Sequence, residues 1–183
     1  MEKRNFKGFT LIEVMLTLAI GGLIFAMVFM VLPSVFANAR DGQRRDDVLK
    51  TVSRLKSFQS NNNRGALPSD SITSSGLAID GSTISFGPTS GITWKDFYAS
   101  FFDDAYSDPN GTRYNWKIVN CEATTGNQCT KGRPSDVFES NNVTMYFVIG
   151  ATCNGEMAVS TPNNRMVSVL YKLERGGTFC ANT

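Results

Sequence analysis

The fold of this chain is decided by its N-terminal stretch Gly8-Phe9-Thr10-Leu11-Ile12-Glu13-Val14 and by the apolar residues that follow it. Over residues 9–36 the only ionisable side chain is that of Glu13, and residues 14–32 are almost entirely apolar. A helix of roughly 20 apolar residues is long enough to cross the hydrocarbon core of a bilayer. The sequence therefore predicts a transmembrane helix at residues 9–36.

The residues before Gly8 form a short basic flank, in which Lys3, Arg4 and Lys7 outnumber Glu2. Basic flanks of apolar helices stay on the cytoplasmic side of the membrane, so the rest of the chain is expected outside the cytoplasm. The whole chain has a formal net charge of +2 and this flank carries +2, so its removal would leave a neutral chain. A balance so close to neutral argues against a dedicated nucleic-acid binder.

Glu13 is the informative residue of the apolar segment. A carboxylate surrounded by hydrocarbon is unfavourable, and its default interpretation is a functional group that has a partner. The alternative is that Glu13 lies near the membrane interface, where the penalty is smaller.

Four features occur together here: a short basic leader, Gly8, Phe9, and a glutamate four residues after Phe9. With the apolar run, they resemble the class III leader of type IV prepilins and of type II secretion pseudopilins. The resemblance implies that a prepilin peptidase cleaves between Gly8 and Phe9 and methylates the new amine of Phe9. It also implies that Glu13 pairs with the Phe9 amine of a neighbouring subunit. A buried carboxylate left alone is strongly unfavourable, so subunits would favour the arrangement that brings this amine to Glu13. The pair would thereby set the axial register of a filament.

An ordinary secretory signal peptide is the competing interpretation of the same segment. The basic flank would be its charged region, and Ala37-Asn38-Ala39 resembles a small-residue cleavage site. The apolar run exceeds the roughly 7–15 residues of such peptides, and Glu13 has no purpose in one. N-terminal sequencing separates the two, because a cleaved prepilin starts at Phe9 and a signal-peptide product starts at Arg40.

Residues 37–61 are mostly polar, yet they carry an amphipathic stripe. The residues at or beside its helical spacing are Val48, Leu49, Val52, Leu55, Phe58 and Gln59. We expect one continuous helix from about Phe9 to about Asn61, roughly 75–80 Å long at 1.5 Å per residue. Its first half is apolar all round, and its second half would anchor a globular head by one face.

Two irregularities lie in the apolar half of this helix. Gly21–Gly22 weakens a helix locally, and Pro33 removes a backbone donor and tends to kink the helix. Pilins can lose helicity in the corresponding stretch on assembly, so the resemblance implies the same behaviour here. The charged run at residues 40–47 mixes signs, and we interpret it either as a solvated face or as a source of salt bridges between subunits.

Histidine and cysteine content restricts the chemistry of the chain. There is no histidine, which removes histidine-based catalysis and the commonest zinc ligands. The four cysteines lie in the C-terminal third and form no CxxC pair: Cys121, Cys129, Cys153 and Cys180. Their even number predicts two disulfides in an oxidising compartment, and local pairing favours Cys121–Cys129 with Cys153–Cys180 among three connectivities. Four reduced, buried cysteines are the alternative.

Residues 62–183 predict a globular head. The expected fold class is α+β, with the long helix packed on a four-stranded antiparallel sheet, as the resemblance to pilins implies. Residues 65–92 indicate a long loop, with a short element near residues 76–79. Four runs of β-forming residues are the expected strands: residues 113–120, 143–151, 156–160 and 165–173. Thr161-Pro162-Asn163-Asn164 predicts a hairpin between the last two strands, and a disulfide from Cys153 would bound the C-terminal region.

A short helix is expected between the loop and the first strand. Thr93-Trp94-Lys95-Asp96 resembles a capping box at its start, and the helix would end at about Phe102. Three aromatic side chains would face the core from it: Phe97, Tyr98 and Phe101.

The segment from Asp108 to Tyr114 has the pattern Asp-Pro-x-Gly-x-x-Tyr, which resembles the turn that opens the sheet in many pseudopilins and some pilins. Asn110-Gly111 is itself a turn signal before a strand. Certain pseudopilins hold calcium with acidic residues further along. A calcium site with ligands from Asp103, Asp104, Asp108 and Asn110 is therefore the alternative to a plain turn.

Two surface patterns remain open. Five basic residues form either a surface for DNA or anionic cell surfaces, or merely scattered solvated side chains: Lys131, Arg133, Arg165, Lys172 and Arg175. Residues 110–112 and 142–144 match the glycosylation sequon, a pattern that is frequent by chance.

The leading hypothesis for function is structural. The chain would be a type IV pilin, most simply the major pilin of a homopolymeric filament that serves adhesion, twitching motility or DNA uptake, as the resemblance implies. Its partners would be prepilin peptidase, the assembly platform with its ATPase, and the cytoplasmic membrane before export to the extracellular pilus. A minor pilin or pseudopilin is the alternative within this class. A membrane-tethered binding module that does not polymerise is the alternative from another class. An enzyme and a cofactor are not expected, because no nucleophile–base pair or phosphate loop is visible.

Overall fold

The computed structural model describes residues 8–61, 65–83, 93–101, 106–123, 126–131 and 143–183. The chain divides into two compact units, Met1–Ala39 and Arg40–Thr183. A single helix, α1 (Leu11–Asn61), contributes residues to both units. The leader residues 1–7 lie outside the described residues, as do residues 62–64 directly after α1.

In the first unit, α1 passes through Gly21–Gly22 and Pro33 without a break in its helical assignment. It begins at Leu11, slightly later than expected. Its large apolar side chains are exposed, from 37% for Leu32 to 82% for Met30. They are distributed around the whole helix rather than on one stripe, which is typical of a helix made for an apolar environment.

In the second unit, α1 is amphipathic, and its buried stripe follows the expected spacing at Val48, Val52 and Leu55, while Phe58 rather than Gln59 continues it. Val48, Val52, Leu55 and Phe58 face the core, with exposures of 5% or less. Leu49 is 49% exposed, so the part of the prediction that placed it beside the stripe is wrong. One residue along a helix turns the side chain by about 100°, which carries Leu49 off the core face.

The charged run at residues 40–47 is not a uniformly solvated face. Asp41, Arg44 and Asp47 are buried, with exposures of 4–6%, whereas Arg45 and Asp46 are exposed. The solvated-face interpretation is therefore wrong for the three buried residues. Their spacing of three residues places them on the core side of the helix, where polar groups of the head bind them.

The described residues of the head form one larger sheet and one small ribbon. The strands are β1 (Leu77–Ile79), β2 (Asn115–Asn120), β3 (Thr144–Ile149), β4 (Ala151–Asn154), β5 (Met157–Ser160), β6 (Val167–Lys172) and β7 (Thr178–Asn182). The sheet has five strands in the order β1-β2-β3-β6-β7, and the ribbon pairs β4 with β5. All neighbours are antiparallel except β2 and β3, which are parallel.

This architecture confirms the α+β class and the packing of the helix on a largely antiparallel sheet, but it corrects the strand count. The sheet has five strands rather than four, because β1, near the expected residues 76–79, and the C-terminal β7 join it, while the strand expected at residues 156–160 is β5 of the ribbon. The β2–β3 pair is parallel rather than antiparallel. Parallel strands need a long crossover, and the 23 residues between Asn120 and Thr144 are enough for one.

The hairpin expected at residues 161–164 does not form. β5 pairs with β4 through the two-residue turn Gly155–Glu156, while β6 pairs with β3 and β7. Gly155 has a φ of 62°, the left-handed conformation that a tight hairpin turn takes most readily at glycine. The chain therefore forms its hairpin at the two-residue turn after Asn154 rather than at the polar residues 161–164.

The second half of α1, the short helix α2 (Trp94–Phe101) and one face of the sheet enclose an aromatic core. Its largest fully buried aromatic side chains are Trp94, Trp116, Tyr98, Tyr114, Tyr171, Phe97 and Phe147. α2 begins with the predicted capping box: the Asp96 N–H donates to Thr93 Oγ1 at 3.1 Å, and the Thr93 N–H to Asp96 Oδ2 at 3.3 Å. The side chain of Phe101 and all of Phe102 lie outside the described residues.

The opposite face of the sheet is covered by the β4–β5 ribbon. Alternate strand residues point there, so Val119, Val148 and Leu170 pack against Ala151 and Ala158 of the ribbon. Two disulfides lie in this layer, Cys121–Cys129 and Cys153–Cys180, the second joining β4 to β7. This is the connectivity that the sequence favoured.

Candidate processing and assembly site

The residues from Gly8 to Glu13 lead into α1. Thr10 immediately precedes the helix, and its backbone N–H and its hydroxyl both donate to Oε2 of Glu13, at 2.9 and 2.7 Å. In return, the N–H of Glu13 donates to Thr10 Oγ1 at 3.4 Å. These reciprocal bonds form a capping box that satisfies two backbone donors at the helix start.

The capping box gives the Glu13 carboxylate a partner within its own chain. A carboxylate in the first helical turn is also favoured by the helix dipole. Among the described residues, Glu13 meets Thr10 and no cation. Sequence reasoning overlooked Thr10, although Thr10-Leu11-Ile12-Glu13 carries the Thr-x-x-Glu signature that precedes an apolar run.

The peptide bond between Gly8 and Phe9 lies before the helix and in the open. Both residues are exposed, and a Cβ placed on Gly8 would meet no atom within 4 Å. Backbone outside regular structure is the form that a protease binds. Nothing in the described chain blocks this bond from an enzyme.

The apolar part of α1 meets the requirements of a membrane helix by length and composition. In the described part of the chain it is the one helix that qualifies, with a mean hydropathy of 2.6 over its best 18 residues, none of them buried. Its hydroxyl groups bond to its own backbone: Thr17 donates to the carbonyl of Val14 at 2.9 Å, and Ser34 to that of Val31 at 2.8 Å. In hydrocarbon, polar groups must form their hydrogen bonds within the protein, because no water is present there.

A second polar site lies in the head, where α1 contacts two turns. We call five residues the basal cluster: Asp41, Arg44, Asp108, Tyr171 and Glu174. Arg44 donates from Nε and Nη2 to the two carboxylate oxygens of Asp108, at 2.7 and 3.2 Å. Its Nη1 donates to Asp41 at 3.0 Å and to Glu174 at 3.2 Å. The hydroxyl of Tyr171 donates to Asp108 Oδ2 at 2.8 Å, which completes a network around one buried guanidinium.

Burial and hydrogen bonding act in opposite directions on this network. Burial alone would raise the pKa of Asp108, but hydrogen bonds from Arg44, the Asn110 N–H and Tyr171 lower that pKa below its usual value. Burial alone would lower the pKa of Arg44, and its bonds to Asp108 raise that pKa instead. Burial and the charge of Asp108 raise the pKa of Tyr171. At neutral pH the pair is charged and the Tyr171 hydroxyl is protonated.

The structure limits the calcium alternative. Both oxygens of Asp108 are engaged by Arg44 and Tyr171. Asp103 and Asp104 lie outside the described residues. Within the described ranges, no group of three acidic or cysteine side chains is arranged to hold a metal ion.

The remaining surface candidates are only partly described. Lys131 lies 4.0 Å from Glu122, and the backbone N–H of Arg175 donates to Asp41 at 3.2 Å. Arg133 and the sequon that begins at Asn142 lie outside the described residues. These contacts do not bring the described basic residues together into one surface.

The described fold and site define a class of protein in which an apolar helix begins at a capping box and an α+β head follows. Residues 3–29 match the family described as the prokaryotic N-terminal methylation motif, which is the class III leader of type IV prepilins and pseudopilins. The match spans Gly8, Phe9 and Glu13. Comparison with curated proteins and with solved structures gave no significant match.

This match supports a type IV pilin or pseudopilin and indicates a structural subunit rather than an enzyme. The motif and the apolar helix together fit a precursor that is anchored in a membrane. The motif also implies processing by a prepilin peptidase.

Proposed function

We propose that this chain is the structural subunit of a type IV pilus, most simply its major pilin. The observation that carries the proposal is the methylation motif over residues 3–29, joined to an apolar helix whose side chains are exposed in the isolated chain. Exposed apolar surface of this extent needs a partner once it leaves the membrane. Copies of the same helix in a filament core supply one.

The first step is processing at the membrane. The basic leader, residues 1–8, stays in the cytoplasm while residues 9–36 span the bilayer and the head, carried on residues 37–61, lies outside. Prepilin peptidase cleaves after Gly8 and methylates the amine of Phe9. The exposed Gly8–Phe9 bond supports this step, because nothing in the described chain has to unfold first.

The second step is assembly, in which Glu13 exchanges partners. In the monomer, Thr10 satisfies the Glu13 carboxylate through two hydrogen bonds. In the filament, the charged Phe9 amine of a neighbouring subunit binds the same carboxylate. The Phe9 ammonium adds attraction between opposite charges, which the uncharged donors of Thr10 do not supply, so assembly gains register without leaving a buried charge unpaired.

The roles of the assembled pilus are adhesion, twitching motility or DNA uptake, with the assembly platform and its ATPase as partners. The filament itself is extracellular, and two disulfides suit that compartment. A minor pilin or a type II secretion pseudopilin is the second candidate, favoured by the Asp-Pro-x-Gly-x-x-Tyr turn at Asp108. Abundance in sheared surface filaments separates them, because a minor subunit is scarce there.

The test is Glu13→Ala in the native cell, with Glu122→Ala as the matched control at an exposed glutamate of the head. We expect Glu13→Ala to abolish filaments while the processed subunit accumulates in the membrane. Glu122→Ala should leave filaments unchanged. If Glu13→Ala cells keep both filaments and surface function, the subunit proposal fails and a binding module that does not polymerise is supported.

A further inference from the structure

The first helical turn of the second unit is bound to the head by polar contacts alone. Arg40 donates from Nε to Glu174 at 2.7 Å. Asp41 accepts the backbone N–H of Glu174 at 2.7 Å and that of Arg175 at 3.2 Å, one on each carboxylate oxygen. Arg44, one turn later, holds Asp108. Three helix residues thus bind the turn between β6 and β7 and the turn before β2.

The helix on the N-terminal side of this attachment carries exposed apolar side chains. Val35 and Phe36 are 51% and 56% exposed, and Pro33 removes a helical hydrogen bond just before them. A helical segment without tertiary packing is marginally stable in water, so loss of helix can begin here. Fraying that begins in this segment would run along α1 until an attachment stops it.

The aromatic core cannot be that first attachment. The first buried apolar side chain of α1 is Val48, which lies eight residues, or about two turns, beyond Arg40. Between them the buried side chains are Asp41, Arg44 and Asp47, and all three are held by polar partners. The buried side chains of α1 therefore begin with members of the basal cluster.

We infer that the basal cluster, together with Arg40, is a conformational stop that holds residues 40–47 helical and confines loss of helix to the N-terminal side. The carboxylate of Asp41 is suited to this role because it fixes two successive N–H groups of the β6–β7 turn. The ion pair between Arg44 and Asp108 binds the turn before β2 to α1, one helical turn further along. Without the stop, fraying would continue to Val48.

The experiment is amide hydrogen exchange, measured by mass spectrometry, on the full processed chain in detergent micelles. Asp41→Ala removes the acceptor of both turn N–H groups, and Arg40→Gln removes only the exposed pair with Glu174. Lys50→Gln is the matched control, since it changes only an exposed lysine on the same helix, whose ammonium lies 3.2 Å from Asp47. Peptides covering residues 40–47 and residues 52–58 are compared.

We expect Asp41→Ala to accelerate exchange at residues 40–47 by about tenfold or more, with a smaller effect for Arg40→Gln and none for Lys50→Gln. Exchange at residues 52–58 should stay within about twofold of the parent chain in all three. Unchanged exchange at residues 40–47 would overturn the inference. Equal acceleration of both segments would also overturn it, because the cluster would then act on global stability. If Asp41→Ala does not fold, the inference is tested by Arg40→Gln alone, with the same comparison of exchange at residues 40–47 and 52–58.

Discussion

Arg44 and Asp108 form a bidentate ion pair with Nε–Oδ2 and Nη2–Oδ1 distances of 2.7 and 3.2 Å, and both side chains are nearly inaccessible to solvent. The pair joins the long helix to the turn that precedes β2. A buried pair of this kind does not by itself stabilise a fold more than apolar residues would, but breaking it leaves a charge without a partner.

Removing one member of this pair should be strongly destabilising. We expect Arg44→Met or Asp108→Leu to lower the free energy of unfolding by about 3–5 kcal/mol, and the double variant to lose less than the sum of the two. Urea unfolding of the full chain in micelles, followed by the fluorescence of the buried Trp94 and Trp116, measures this. Lys50→Gln, which changes an exposed lysine, should change the free energy of unfolding by less than about 1 kcal/mol. Strict additivity of the two single variants would show that the pair is not coupled.

The same pair predicts the acid sensitivity of the head. The pKa of Asp108 is lower in the folded chain than the value of about 3.9 for an unfolded Asp. Its contribution to stability is therefore complete above the unfolded pKa and is lost as the pH falls through the folded pKa. Asp108→Asn should flatten the decline of the urea midpoint between about pH 5 and pH 2.5. An unchanged slope would assign acid sensitivity to other carboxylates.

The two disulfides should differ in what they contribute. Cys153–Cys180 closes a separation of 27 residues and Cys121–Cys129 one of 8. On chain-entropy grounds, replacing the first pair by alanine should destabilise the head by about 1 kcal/mol more than replacing the second. Thermal unfolding of the two double-alanine variants tests this. A larger loss from the Cys121–Cys129 variant would mean that packing of the ribbon outweighs loop entropy.

Thr10 should be required for the start of the helix. Thr10→Val removes the hydroxyl that donates to Glu13 and accepts from its N–H, and Thr10→Ser keeps it. A lost N-cap is worth about 0.5–2 kcal/mol, so we expect fraying of the first turn in Thr10→Val only. Amide chemical shifts of residues 10–14 in micelles report it. Identical shifts in the valine and serine variants would mean that the capping box does not form in lipid-like surroundings.

Features that depend on neighbouring residues were predictable from the sequence. The apolar helix, its amphipathic continuation through Val52 and Leu55, and the capping box at Thr93 and Asp96 each follow from a short pattern. The α+β class followed because a long helix preceded several β-forming runs. Thr10 belonged to the same category, since its signature was present and overlooked.

Features that depend on distant residues were not predictable. A charge at Arg44 is normally solvated, and its burial is permitted only because Asp108 and Glu174, 64 and 130 residues away, meet it there. The parallel pairing of β2 with β3 was likewise set by strands that 23 residues separate in the sequence. No local pattern around any of these residues specifies its partner.

The central claim is that the chain is cut after Gly8 and polymerises through the helix that this cut releases. The most direct measurement is mass spectrometry of the N-terminal peptide of the subunit, taken from sheared surface filaments of the native cell. We predict an N-terminus at Phe9 with a methylated amine. An N-terminus at Arg40, or absence of the chain from the filament fraction, would contradict the account.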